Sequence, residues 1–269
     1  MQPISSEKKG KKGIEMEVTE EEDRCRRCFN SWVMQQEVDL QELQTLTQYH
    51  KDEEKLRMMV EKNIQHFHDY NQKRTILAQD HATSFFCPSW CTPFENSFLW
   101  IAGCRPTLSI RLVYALCGSE LESQLGDFFR GVRRGNLAEL SARQLSLVND
   151  LHCNTIREED KLSSKMASLQ EEIADQPLAL MAVESNRIGD TSERVDRVLD
   201  DHSLALARIL EDADKLRLRT LKALTNILTP LQAVDLLVAT GKLHLSLHEW
   251  GKKRESRERQ SRSISCSAE

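Results

Sequence analysis

An all-α fold, an antiparallel bundle of roughly six to eight helices with several of them long, is what three features of the sequence predict. Apolar residues recur at three- and four-residue steps through most of the chain, the period of one helix face. Only ten glycines and six prolines interrupt 269 residues, which favours long uninterrupted helices. No strand-like alternation, hairpin turn or internal repeat is present.

Residues 1–22 read as a disordered charged tail, with the basic run KKGKK and then the acidic run EVTEEED. Residues 23–251 read as the helical domain. Phe29, Trp32, Val33, Gln36, Leu40, Leu43 and Leu46 form the first stripe, and Leu56, Met59, Val60, Ile64 and Phe67 continue it. One long helix, or two in line, is therefore expected to about Arg74. Thr92, Pro93 and Glu95 form a capping box with proline at the first helical position, opening a helix expected to end at Gly103. Pro106 prevents continuation, and Thr107 is placed to cap a second short helix through Cys117. Both helices are expected deep in the core.

A loop around Gly126, Gly131 and Gly135 follows. Ser141 and Gln144 open a long helix whose stripe is Leu145, Val148, Ile156, Leu162, Met166, Leu169 and Ile173, until Pro177. A linker near 187–192 precedes another long helix with Val195, Val198, Leu199, Leu206, Ile209, Ala213, Leu216 and Leu224 inward. Thr229-Pro230-Leu231-Gln232 repeats the box and starts the last helix, which runs to about Trp250 and is expected to stop at Gly251. Residues 252–269 read as a disordered basic and serine-rich tail.

Composition excludes several classes. A net charge of −5 gives no overall footprint for nucleic acid. No run of eighteen apolar residues exists, and the first thirty residues lack a signal core, so an intracellular, soluble protein is expected. The eight cysteines are scattered and fit buried reduced thiols better than a disulfide framework. No catalytic elbow, P-loop, H-E-x-x-H or kinase signature occurs, and no enzyme is expected.

His244 and His248 are the most informative pair. Standing four apart, they project from one face of the last helix, a spacing that suits two ligands of one metal ion. It suits bis-axial haem ligation poorly, because axial ligands approach a porphyrin from opposite sides. One histidine could ligate haem iron while the other contacts a propionate; equally, both could be half-buried residues beside Leu243, Leu247 and Trp250. Cys25, Cys28, Cys87 and Cys91 could be paired into a zinc site, but the pairs lie far apart in sequence, and no metal site is expected. Six basic residues between Lys252 and Arg262 are interrupted by Glu255 and Glu258 and lead into no leucine heptad. Arg262-Ser263-Ile264-Ser265 matches a short basic-directed phosphorylation pattern.

The strings W-C-T-P-F-E-x-x-F-L-W-I-A-G-C-R-P, A-D-K-L-R, L-T-P-L-Q-A-V and H-L-S-L-H-E-W-G, in that order, resemble the plant delay-of-germination domain. That domain also forms the C-terminal part of TGA-type bZIP transcription factors. The resemblance spans about Phe29 to Gly251 and implies a non-catalytic regulator of transcription, seed dormancy or abscisic-acid signalling, in the nucleus, the cytoplasm or both. It implies haem as a cofactor, with His244 and His248 in the positions of the family's histidine pair. It also implies type 2C protein phosphatases as partners, through an aromatic-x-x-Trp segment to which Phe29 and Trp32 correspond. bZIP factors or self-association are further partners of that kind. Without a basic region and zipper, direct sequence-specific DNA binding is an alternative reading, as is a developmental role at the membrane like that of the inaperturate-pollen protein. Cys104 stands where the family commonly has an aromatic residue, so space in the core is expected there.

Overall fold

The structure, a computed structural model, describes residues 20–49, 52–129, 136–175, 177–184 and 193–266. Most of the N-terminal tail, the linker near 187–192, and Gly131 and Gly135 of the glycine loop lie outside them. Among the described residues the fold is all-α, as the periodicity predicts.

Between Phe29 and Arg74 the chain does not run on in line but reverses. Helix α1 (Glu20–Tyr49) and helix α2 (Glu53–Phe86) form an antiparallel hairpin. Asp52 starts the second helix, its carboxylate accepting the backbone N–H groups of Glu54 and Lys55. Across the hairpin Glu42 meets Lys62, Asp39 meets His66 and Trp32 meets Tyr70. Apolar residues continue at helical spacing on both sides of the turn, so periodicity alone does not mark the reversal.

Helix α3 (Pro93–Asn96) is one turn, not a helix to Gly103. An irregular strap leads from it to α4 (Thr107–Phe129), which runs through Gly126 where a loop is expected. Helix α5 (Ala142–Glu171), the short α6 (Leu178–Glu184), α7 (Glu193–Ile227) and α8 (Pro230–Cys266) complete the order. All three capping boxes form. Thr92 and Glu95 exchange hydrogen bonds, as do Ser141 and Gln144, and Thr229 and Gln232. The last two boxes interlock, with Gln144 Nε2 donating to Gln232 Oε1 at 2.8 Å, which fixes the start of α5 against the start of α8.

Helix α2 lies at the centre, packed on α1, α7 and α8. The larger core cluster includes Leu43, Val60, Ile110, Val148, Leu224 and Leu236, drawn from six helices. A second cluster, with Ala82, Ile101, Leu162, Leu206 and Leu216, fills the space between α2, the strap, α5 and α7. Burying each such leucine contributes roughly 1.5–3 kcal/mol. Several expected inward positions are instead exposed: Leu145, Ile156 and Ile173 around α5, and Leu199 on α7. On α5 the buried register passes through the polar Thr155 and Glu159, which a purely apolar stripe skips.

Gly251 does not end α8, which continues to Cys266. The glycine is there for close approach. A Cβ at this position would lie 2.2 Å from Thr92 Oγ1, so α8 can pass the α3 capping box only without a side chain.

Candidate functional site

The antiparallel α1/α8 pair carries the two histidines inward. His244 donates its Nδ1 proton to the side-chain oxygen of Gln36 on α1. His248 donates its own to Glu95 Oε1 at 2.6 Å. Glu95 is the capping-box carboxylate of α3, and its Oε2 accepts the Thr92 N–H at 2.8 Å and the Thr92 hydroxyl at 2.9 Å. One buried carboxylate therefore caps α3 and anchors α8. Phe29 presents its ring to His248 at 5.8 Å, close to edge-on, so the second imidazole is enclosed by α1, α3 and its own helix. Leu243 and Trp250 are exposed and do not share this enclosure.

Burial holds the His244 imidazole below its ordinary pKa, and the neighbouring His248 adds to that; Glu95 opposes it. His244 is therefore neutral at pH 7. In the neutral His244 ring the Gln36 acceptor fixes the proton on Nδ1 and leaves the lone pair on Nε2. That tautomer is the one a ligating imidazole uses. The space is not that of a haem site. His248 is only 8% exposed. Its ring is covered by Phe29 of α1 and by Glu95 of α3. With α1 and α3 seated on α8, the residues present do not fit haem.

Phe29 and Trp32 also face inward. Trp32 stacks on Tyr70 with ring centroids 4.7 Å apart and an interplanar angle of 7°, and meets Phe67 edge-on. At 8% and 6% exposure, neither ring is presented to a partner in this conformation.

The cysteines do not converge on a metal. Among the described residues no three His, Cys, Asp or Glu side chains are placed to hold an ion. Burial raises the Cys25 and Cys28 thiols, and burial with the nearby Glu95 pushes Cys91 up to about 12, which keeps all three protonated. Cys104 is exposed, so the small residue there opens no core space.

A second polar centre escaped the sequence reading, although Trp100, Gly103, Asp214 and Arg217 lie within the family-like strings. Trp100 and Gly103 pair through two backbone hydrogen bonds around Ile101 and Ala102, whose φ angles of 45° and 54° are left-handed. Two arginines hold this strained turn. Arg74 of α2 donates to the Ala102 carbonyl at 2.7 Å. Arg217 of α7 donates to the Cys104, Trp100 and Ile101 carbonyls. Both guanidinium groups meet Asp214, which is 2% exposed. Beside them Glu159 of α5 accepts the Thr107 N–H at 2.7 Å and pairs with Arg105. Helix α4 is thus capped by a carboxylate from α5, not by Thr107 itself. The Asp214/Arg217 spacing of three, on one helix face, was the available signal.

A family model described as seed dormancy control matches residues 39–115. The protein DOG1-like 1 of Arabidopsis thaliana is 40% identical over 251 residues, covering 86% of this chain and 89% of the relative. The protein RESPONSE TO ABA AND SALT 1 of the same plant is 26% identical over 207 residues, 75% of this chain and 81% of that one. Transcription factor TGA2, also from that plant, is 24% identical over 215 residues, 77% of this chain and 57% of the factor.

Proposed function

This chain belongs to the delay-of-germination family, and on that premise we propose that it is a non-enzymatic regulator acting through protein partners in seed dormancy or abscisic-acid-linked responses. The observation that carries the reading is likeness running through nearly the whole of both chains to a DOG1-like protein. The likeness to a relative named for its response to abscisic acid and salt points to the same kind of process. The polar groups support a non-catalytic role: His244, His248 and Glu95 join helices to one another, and Arg74 and Arg217 tie α2 and α7 to the strap. Action in the nucleus or the cytoplasm is part of the proposal, and no described helix is long and apolar enough to cross a membrane.

The partners proposed are type 2C protein phosphatases and bZIP factors, with self-association as a third mode. Because Phe29 and Trp32 are buried, a partner that reads them must draw the first half of α1 away from α2 and α8. The full chain used as bait in extract of imbibed seeds tests this. Recovery of a type 2C phosphatase or a bZIP factor, repeated pairwise with purified proteins, is expected. Recovery of neither would overturn the reading.

Direct DNA binding is the second reading, favoured by one observation: α8 continues past Gly251 as a helix that carries six basic residues from Lys252 to Arg262, the first five of them exposed. Three of these cations are paired within the helix, Lys252 with Glu249, Arg254 with Glu258 and Arg259 with Glu255, which lowers the field they offer to phosphates. A mobility-shift assay on a TGACG element at low salt separates the two readings. Partner-mediated action gives no shift with the chain alone, and a salt-sensitive shift would establish direct binding.

A further inference from the structure

Beyond the capping box α8 runs into solvent. From Lys252 to Ser261 every residue except the partly covered Glu255 is exposed. Its hydrogen bonds there include local ones: Ser256 Oγ donates to the Lys252 carbonyl at 2.9 Å, and Ser261 Oγ to that of Arg257 at 3.0 Å. Serine hydroxyls that bond back to the preceding turn weaken a helix, and exposed i,i+4 ion pairs add little to it. Such a segment opens locally at low cost, so an enzyme can take it up as an extended strand.

Ser256 is exposed and has a distinctive flank. Lys252, Lys253 and Arg254 stand four, three and two residues before it, and Arg257 follows. Substrate selection by protein kinases rests on charge patterns of this kind, with acidic pockets in the kinase receiving the basic residues upstream of the hydroxyl. Ser261 differs at the deciding position, where Glu258 stands three residues before it and the same pocket repels it.

We propose that Ser256 is a phosphoacceptor site for a basophilic serine/threonine protein kinase. In the step, Ser256 Oγ attacks the γ-phosphorus of MgATP. The bond from that phosphorus to the β,γ-bridging oxygen breaks, ADP leaves, and the hydroxyl proton passes to the kinase's base. The product carries about −1.5 to −2 charges at pH 7. In the re-formed helix Lys252, Lys253 and Arg259, at four before, three before and three after, share its face and pair with it. The 252–262 segment has six basic and two acidic residues, a net charge of 6 − 2 = +4. Phosphorylation cuts this to roughly +2, which weakens any contact of α8 with an acidic partner.

The test incubates the full-length purified chain with MgATP and the catalytic domain of a kinase that requires basic residues three and two before its serine. A kinase that requires acidic residues serves as the control, and sites are mapped by tandem mass spectrometry. With Ser263 and Ser265, which follow Arg262, replaced by alanine in every variant, incorporation of one phosphate per chain at Ser256 is expected, lost in S256A and retained in S261A. K253E should lower kcat/KM by at least about tenfold, because it reverses a charge that the pocket binds. Circular dichroism should be unchanged in both Ser256→Ala and Lys253→Glu, since neither side chain is buried. No incorporation, incorporation that survives S256A, or equal modification by the acid-directed kinase would overturn the proposal.

Discussion

His248 on α8 and Glu95 on α3 share a hydrogen bond of 2.6 Å, and the carboxylate that receives it is also the capping acceptor of its own helix. The two residues are 153 positions apart. Their contact makes the most specific local signature in the chain, the Thr-Pro-Phe-Glu box, into a long-range joint. Gly251, one turn after His248, lies against Thr92 of the same box.

Gly251→Ala sets two effects against each other. Alanine is the better helix former by about 1 kcal/mol. Its Cβ would, however, fall 2.2 Å from Thr92 Oγ1 and 3.2 Å from Thr92 Cβ, in a box whose atoms are all committed. Overpacking of this kind costs roughly 1–3 kcal/mol, so the net effect is destabilising. Thermal unfolding of G251A should show a lower midpoint than wild type, by about 2–4 °C for each kcal/mol lost. A higher midpoint would mean that α8 does not pass the box closely.

Stability should also depend on pH through His244. Its folded-state pKa lies below the ordinary value, chiefly because it is buried. The unfolded chain therefore binds the proton more readily, and stability rises with pH across the interval between the two values. The contribution is fully present above the unfolded pKa of about 6.5 and is lost as pH falls through the folded value. Denaturant midpoints of wild type should drop as pH falls from about 7 into the range below 6. His244→Gln removes the titrating group and should flatten that part of the profile; an identical slope in H244Q would refute the assignment.

The His244 tautomer suits a metal, but the packing around the pair does not, and hemin distinguishes the two. With His248 enclosed by Phe29 and Glu95, added hemin should retain its free spectrum at neutral pH. A sharpened, red-shifted Soret band that His244→Ala and His248→Ala together abolish would show that α1 or α3 opens readily to expose the pair.

The sequence displays the fold far better than the joints within it. Helix class, the three capping boxes and the proline starts are local properties, set by residues three or four apart, and all are legible. The reversal at Asp52 was missed because one N-cap between two in-phase stripes looks like a surface residue. Gly251 was misread because a glycine after a long helix usually marks its end. Here it marks a crossing with a turn 159 residues earlier, at Thr92. The histidine pair was correctly placed on one face, but its partners Gln36 and Glu95 come from other helices, and no local spacing names them. The same holds for Arg74, Arg217 and Asp214 around the strained Ile101–Ala102 turn, whose three elements meet only in the folded chain.

The measurement that bears most directly on the histidine pair as a joint between helices is a double-mutant cycle on His248 and Glu95. Wild type, His248→Ala, Glu95→Gln and the double variant would be compared by chemical denaturation at pH 7. A latch predicts strong non-additivity, with a coupling energy of roughly 0.5–3 kcal/mol between the two sites. Additivity within about 0.3–0.5 kcal/mol would contradict it, and would mean that α8 is seated on α3 without the help of that bond.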